Sequence, residues 1–214
     1  MATNIERTVA FLKEQFDRSA FLASRPEDKK YRLEHTMRVA NIGRQIARGE
    51  NLDEEALVIG CLLHDLSYAE VFHDNDWRNH GRQAAKMARP FLETLDLSPE
   101  QVQEICYGIA IHVDDQADFP GERTPLALSI ADADNIDRFD VYRIHEHLSN
   151  LSFLTLPYAE QLRSVTEHLS KLEKYRALEF ATKTATELWR DKIDFQIQFF
   201  TRLASQLEAS IDLL

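Results

Sequence analysis

Eight consecutive small or apolar residues, Ala56-Leu57-Val58-Ile59-Gly60-Cys61-Leu62-Leu63, run directly into the doublet His64-Asp65. A helix that is apolar all round is an enclosed one. Ending it on an imidazole and a carboxylate puts two polar groups at the rim of a core, where each needs a partner. Other histidines and aspartates stand at helix-scale distances on both sides, namely His35, His80, His112 and Asp134. These side chains are expected to converge on one or two metal ions inside an all-helical domain.

The rest of the chain supports helices. It has 214 residues, of which only 6 are Gly and 6 are Pro, which argues against a turn-rich β fold. Apolar spacing predicts helices over 4–22, from about 27 to 48 with Gly49 as the stop, and from His80 to Leu95 with a bend at Pro90. Ser98-Pro99-Glu100-Gln101 is a helix start, with Ser as cap, Pro first and Gln three residues on. Thr124-Pro125 starts another, which carries Asp132 and Asp134. Residues 66–79 and 113–123 read as loops, the places where substrate choice would lie. Residues 175–210 read as a helix pair that packs on the same body or on a second subunit. The expected division is a metal-binding helical domain over 1–150 and C-terminal helices over 151–214.

Bulk properties restrict the partners. A net charge of −11 disfavours a nucleic-acid polymer but not a small phosphorylated molecule, because bound divalent ions reverse the local sign. No apolar run approaches the ~20 residues of a membrane span, and no signal peptide is expected. Cys61 and Cys106 lie in apolar settings without a CxxC pair, which fits buried thiols in a cytoplasmic protein.

Neutral imidazole and carboxylate suit Mn, Fe, Co, Ni, Zn or Mg. His35, His64, Asp65 and Asp134 would supply the first ion from three helices. Neighbouring helical residues differ by about 100° in direction, so His64 and Asp65 can share an ion only at the helix end. His80 and His112 could hold a second ion with Asp65 as the bridge. Two such ions would stabilise both the entering and the leaving oxygen of a phosphoryl displacement. Arg38, one turn from His35, and Arg82, two residues after His80, are candidate phosphate contacts. With Arg38, the residues expected to act on substrate are Asp65, His80 and His112; with one ion only, His112 could protonate the leaving group.

Glu34-His35-Thr36-Met37-Arg38-Val39, Leu62-Leu63-His64-Asp65, His80-Gly81-Arg82-Gln83-Ala84-Ala85, Ile111-His112 and Ala131-Asp132-Ala133-Asp134-Asn135-Ile136-Asp137 together resemble the HD superfamily of metal-dependent phosphohydrolases. The order is that of its six-ligand, two-metal form and covers about residues 27–145. The resemblance implies an all-α HD-domain bundle with a C-terminal helical extension, and hydrolysis of a phosphate ester or anhydride, commonly of a nucleotide. On its register Asp134, rather than Asp132, closes the ligand set. The bacterial 5′-deoxynucleotidases place a glutamate three residues after the doublet; Tyr68 stands there in this chain, which counts against that activity. No GYP-type signature follows, which counts against cyclic-di-GMP turnover.

Two other functions share the pattern: a di-iron oxygenase on the same six ligands, and a regulatory module without catalysis. Outside the set, His73, Asp74 and Asp76 read as a solvated loop, Asp114 and Asp115 as loop surface, and His145, His147 and His168 as surface. Asp132 reads as a cap or as a partner of a ligand histidine. The apolar C-terminal faces could also serve a homodimer.

Overall fold

Local capping chemistry defines the helices of this computed structural model, which describes residues 2–70 and 76–210. Thr3 and Glu6 form a capping box on α1, Asn4–Arg18. Ser19 then breaks the chain, and its hydroxyl accepts the Leu22 N–H to start the short α2, Ala20–Ala23. The single helix expected over 4–22 is therefore two, because a serine side chain offers the backbone an alternative to helical bonding.

Pro26 opens α3, Pro26–Glu50, which ends on Asn51 in the left-handed region at φ 55°. Gly49 is thus not the stop. It stays helical, and Asn51, which tolerates that region, takes the cap. Asp53 accepts the Ala56 N–H and starts α4, Glu54–Leu63. Two 3₁₀ turns, Leu66–Ala69 and Asp76–Asn79, lie in the stretch expected to be plain loop. His73 and Asp74 fall outside the described residues. α5 spans His80–Leu92, with Pro90 in its last turn. The Ser98–Gln101 capping box opens α6, Pro99–Ile111. Thr124 accepts the Ala127 N–H at the head of α7, Pro125–Arg138.

Two compact units emerge. The first takes the chain to Asp137 together with Ala181–Thr184. Its centre is α4, every residue of which from Ala56 to Leu63 is buried. α4 packs against α1, α3, α5 and α6. Small residues allow the close approaches: a Cβ on Gly43 would meet Leu57 and Cys61, and one on Gly108 would meet the backbone of Ala127. Both cysteines are free and buried.

The second unit takes Arg138–Phe180 and the chain from Ala185 onward. Within it lie α8 (Val141–Asn150), a 3₁₀ turn at Phe153–Thr155, α9 (Tyr158–Arg176) and most of α10 (Lys183–Ala209). The expected helix pair over 175–210 is instead one 27-residue helix, α10, after the end of α9. Phe139 packs edge-on against Tyr175 and Trp189. His147 and His168 stack with ring centroids 4.0 Å apart, and both pack against Phe200. These two histidines are half-buried ring partners rather than surface residues; His145 is exposed. Among the described residues there is no strand, and no helix is long and apolar enough to cross a membrane.

Candidate metal centre

The ends of three short-range structures position three histidines in the same way. His64 caps the C-terminus of α4, His112 caps that of α6, and His80 follows the turn Asp76–Asn79. Each directs Nδ1 to the carbonyl three residues earlier: His64 to Cys61 at 2.7 Å, His112 to Ile109 at 2.7 Å, and His80 to Trp77 at 2.5 Å. Carbonyls of a last helical turn have no intrahelical donor, so they take the imidazole N–H. Since a carbonyl only accepts, this bonding assigns the proton to Nδ1 and the lone pair to Nε2. His35, in the middle of α3, reaches the same state through Asp137, whose Oδ2 lies 2.7 Å from Nδ1.

All four Nε2 atoms face one interior site with Asp65 and Asp134. His35 Nε2 lies 3.1 Å from Asp134 Oδ1 and 3.7 Å from Asp65 Oδ2. His64 Nε2 lies 3.6 Å from Asp65 Oδ2 and 3.8 Å from Asp134 Oδ1. The other oxygen of Asp65 faces His80 Nε2 at 3.3 Å and His112 Nε2 at 3.8 Å. Asp65 therefore looks to two groups at once, one carboxylate oxygen to each. All six side chains are buried.

The donor set fits a divalent cation. Nε2 of His64 is fully buried and has no hydrogen-bond partner among the described residues. His80 and His112 bring their Nε2 atoms to 3.1 Å, two lone pairs that repel unless a proton or cation lies between them. At metal–ligand distances of about 2.0–2.2 Å, neighbouring ligand atoms stand roughly 3.0–3.5 Å apart, close to the spacings found here. The groups His35–His64–Asp134 and His64–Asp65–His112 each bring three ligand atoms within 4.8 Å of one another. Two of the histidines also end helices, where the dipole favours positive charge.

The titration behaviour reflects the same demand for positive charge. Burial opposes charging His35, yet Asp134, Asp137 and Asp65 outweigh it and raise its pKa to about 9. Burial, reinforced by His64, holds His112 down to about 4, so its imidazole is neutral at neutral pH. Burial would also raise Asp65 and Asp134, but the histidines around them hold both below the usual carboxylate range. The three carboxylates Asp65, Asp134 and Asp137 face two guanidinium groups, Arg32 and Arg38. A further cation is needed for balance, whether a proton on His35 or a metal ion.

Two residues to which the sequence pattern gives no role complete the site. Arg32 donates to Asp65 Oδ2 at 2.8 Å and lies 3.4 Å from the ring centre of Tyr68. Asp137 holds His35 and also takes both arms of Arg38, at 2.7 and 3.1 Å. Each stands three residues from a candidate ligand on the same helix, Arg32 before His35 and Asp137 after Asp134, and that spacing was the available signal.

Other expected roles change. Arg38 forks onto Asp137 rather than standing ready for phosphate alone. Arg82 donates to both oxygens of Asp114 at 2.8 and 2.9 Å, so Asp114 is an ion-pair partner and not loop surface. Asp115 pairs with Arg123. Among the described residues Asp132 neither caps a helix nor bonds a histidine of the cluster; it accepts the Ala181 N–H at 3.0 Å. Gly81 permits the approach of α5 to α6: a Cβ there would sit 2.7 Å from the Ala110 carbonyl and 3.0 Å from His112 Nδ1.

Comparison with known proteins gives a family match over this region. The family model described as HD domain matches residues 32–138. A deoxyguanosinetriphosphate triphosphohydrolase-like protein of Sinorhizobium medicae (strain WSM419) is 33% identical over 72 residues, 34% of this chain. That match spans only 18% of the relative's length. A crystal structure of a predicted HD superfamily hydrolase from an uncultured Thermotogales bacterium superposes with a TM-score of 0.62 at 19% identity. The superposition covers 95% of this chain and 93% of the other, and at that identity it speaks to the fold.

Proposed function

The chain belongs to the HD-domain family, and from that premise we propose that it is a metal-dependent phosphohydrolase acting on a small phosphate ester or anhydride, in particular a nucleotide. One observation carries the reading. Four imidazoles, each with Nδ1 already bonded, turn their Nε2 lone pairs onto two carboxylates in a buried site. A structural cluster would satisfy those nitrogens internally, whereas His64 Nε2 has no such partner among the described residues.

In this reading His35, His64, Asp65 and Asp134 would hold one divalent ion, and His80 and His112 together with Asp65 would hold a second. Bound there, divalent ions would lower the pKa of a water and neutralise charge on a phosphoryl group. The protein's part is to fix these ligands. Asp137 orients His35: by taking the Nδ1–H it leaves Nε2 as the nitrogen directed inward. Arg38 in turn fixes Asp137. Arg32, fixed on Asp65, is the cation placed to meet a phosphate oxygen at the rim.

The test is metal content by elemental analysis, followed by phosphate release from a panel of mono-, di- and triphosphates with Mn²⁺, Co²⁺ or Ni²⁺ added and dioxygen removed. Turnover of a nucleotide by the parent and its loss in His64→Ala support the reading. Equal turnover by both proteins, or a strict demand for dioxygen, overturns it.

A further inference from the structure

A cleft of about 360 Å³ opens beside the ligand cluster, and no role is yet assigned to it. Its walls come from three places: Phe21 on α2; Arg25, Asp28, Tyr31 and Arg32 at and just inside the start of α3; and Tyr68 in the turn after His64-Asp65. Three of these residues also touch the cluster. Tyr31 stacks parallel to His35 with centroids 6.0 Å apart, Arg32 donates to Asp65, and the Tyr68 ring lies 5.1 Å from that of His80. The cleft and the candidate metal centre thus share a wall.

The chemistry of that wall is narrow. Three aromatic rings alternate with two guanidinium planes, Arg25 over Phe21 at 4.3 Å and Arg32 over Tyr68 at 3.4 Å. Asp28 adds one carboxylate, 3.9 Å from Arg25. Flat rings and guanidinium planes select a flat partner, and unstacked bases bind on these two surfaces. The cations suit an anion, against the −11 charge of the whole chain. A carboxylate at the mouth accepts the N–H edge of a heteroaromatic ring.

We propose that this cleft binds the base of a nucleotide whose phosphate reaches the His/Asp cluster. Phe21, Tyr31 and Tyr68 then supply stacking, and Arg32 stands between base and phosphate. This rests on the phosphohydrolase reading for the phosphate end only. Tyr68 gains a function through it: its ring lines the cleft and braces Arg32.

The test uses uncleavable probes on the Mn²⁺-loaded full chain. Calorimetry compares adenosine and guanosine 5′-methylenephosphonates with methylphosphonate, which lacks a base. A base held by stacking should tighten binding about tenfold to a hundredfold. Phe21→Ala, Arg25→Ala and Tyr68→Leu should each shrink that ratio; Arg25 is exposed, so its variant puts folding least at risk. A ratio near one in the parent, or a ratio that none of the three variants alters, overturns the proposal. A large, variant-sensitive ratio in a protein that cleaves no phosphate ester upholds the cleft and removes the hydrolase reading. Cleavage of phosphate esters with a ratio of one does the reverse.

Discussion

Replacing Asp137 by alanine should weaken metal binding without touching a metal ligand. Asp137 accepts the His35 Nδ1–H at 2.7 Å and both arms of Arg38 at 2.7 and 3.1 Å, from a buried position. Without it, His35 loses the bond that selects its tautomer and adds to its basicity. A hydrogen bond to a charged group contributes about 1.5–3 kcal/mol. Partners of this kind change metal affinity by about 10- to 100-fold, which is about 1.4–2.7 kcal/mol, the same range. Asp137→Asn keeps an oxygen for His35 but not the charge, so its loss should be smaller, about tenfold or less. Chelator-competition titrations with Mn²⁺ or Zn²⁺ measure both, with circular dichroism to confirm the fold. Affinity within twofold of the parent for Asp137→Ala would refute the reasoning, because His35 would then need no orientation.

Three further outcomes follow from particular contacts. Gly81→Ala should push α5 away from the Ala110 and Ile109 carbonyls at a cost of about 1–3 kcal/mol. Its effect should fall on the His80–His112 pair, seen as loss of bound metal beyond the first ion, and full metal content would contradict it. Burial, then His147, holds His168 down to about 4, below the unfolded value near 6.5. Between those values the unfolded chain binds more protons, so this stability is complete above pH 6.5 and lost as pH falls toward 4. His168→Gln should flatten the fall in Tm from pH 7 to pH 5, and an unchanged slope would contradict the sign. Burial also raises Asp132 to about 7. Its carboxyl favours the fold when protonated, so stability is lost as pH rises from about 4 to 7; Asp132→Asn should raise Tm at pH 8 and do little at pH 5.

The sequence made the helical class and the convergence of His35, His64, Asp65, His80, His112 and Asp134 legible, since an apolar helix ending on ligand-type residues has few other readings. It did not show how the histidines are held. Three of them bond the carbonyl three residues back, a consequence of helix and turn ends that no side-chain pattern displays. Arg32 and Asp137 stand outside the ligand pattern, and only their place one turn from a candidate ligand marks them. Arg38 and Arg82 looked available for phosphate because their partners, Asp137 and Asp114, lie 99 and 32 residues away in the chain. Gly49 misled as a helix stop for a different reason. A glycine ends a helix only if its φ turns positive, and here Asn51 takes that role.

Anomalous diffraction from crystals grown with Mn²⁺ tests the central claim most directly. The account predicts a peak within about 2.0–2.3 Å of His35 Nε2, His64 Nε2 and the facing oxygens of Asp65 and Asp134, with a second between His80 and His112. Crystals with Mn²⁺ bound elsewhere, or with none between those side chains, would contradict it.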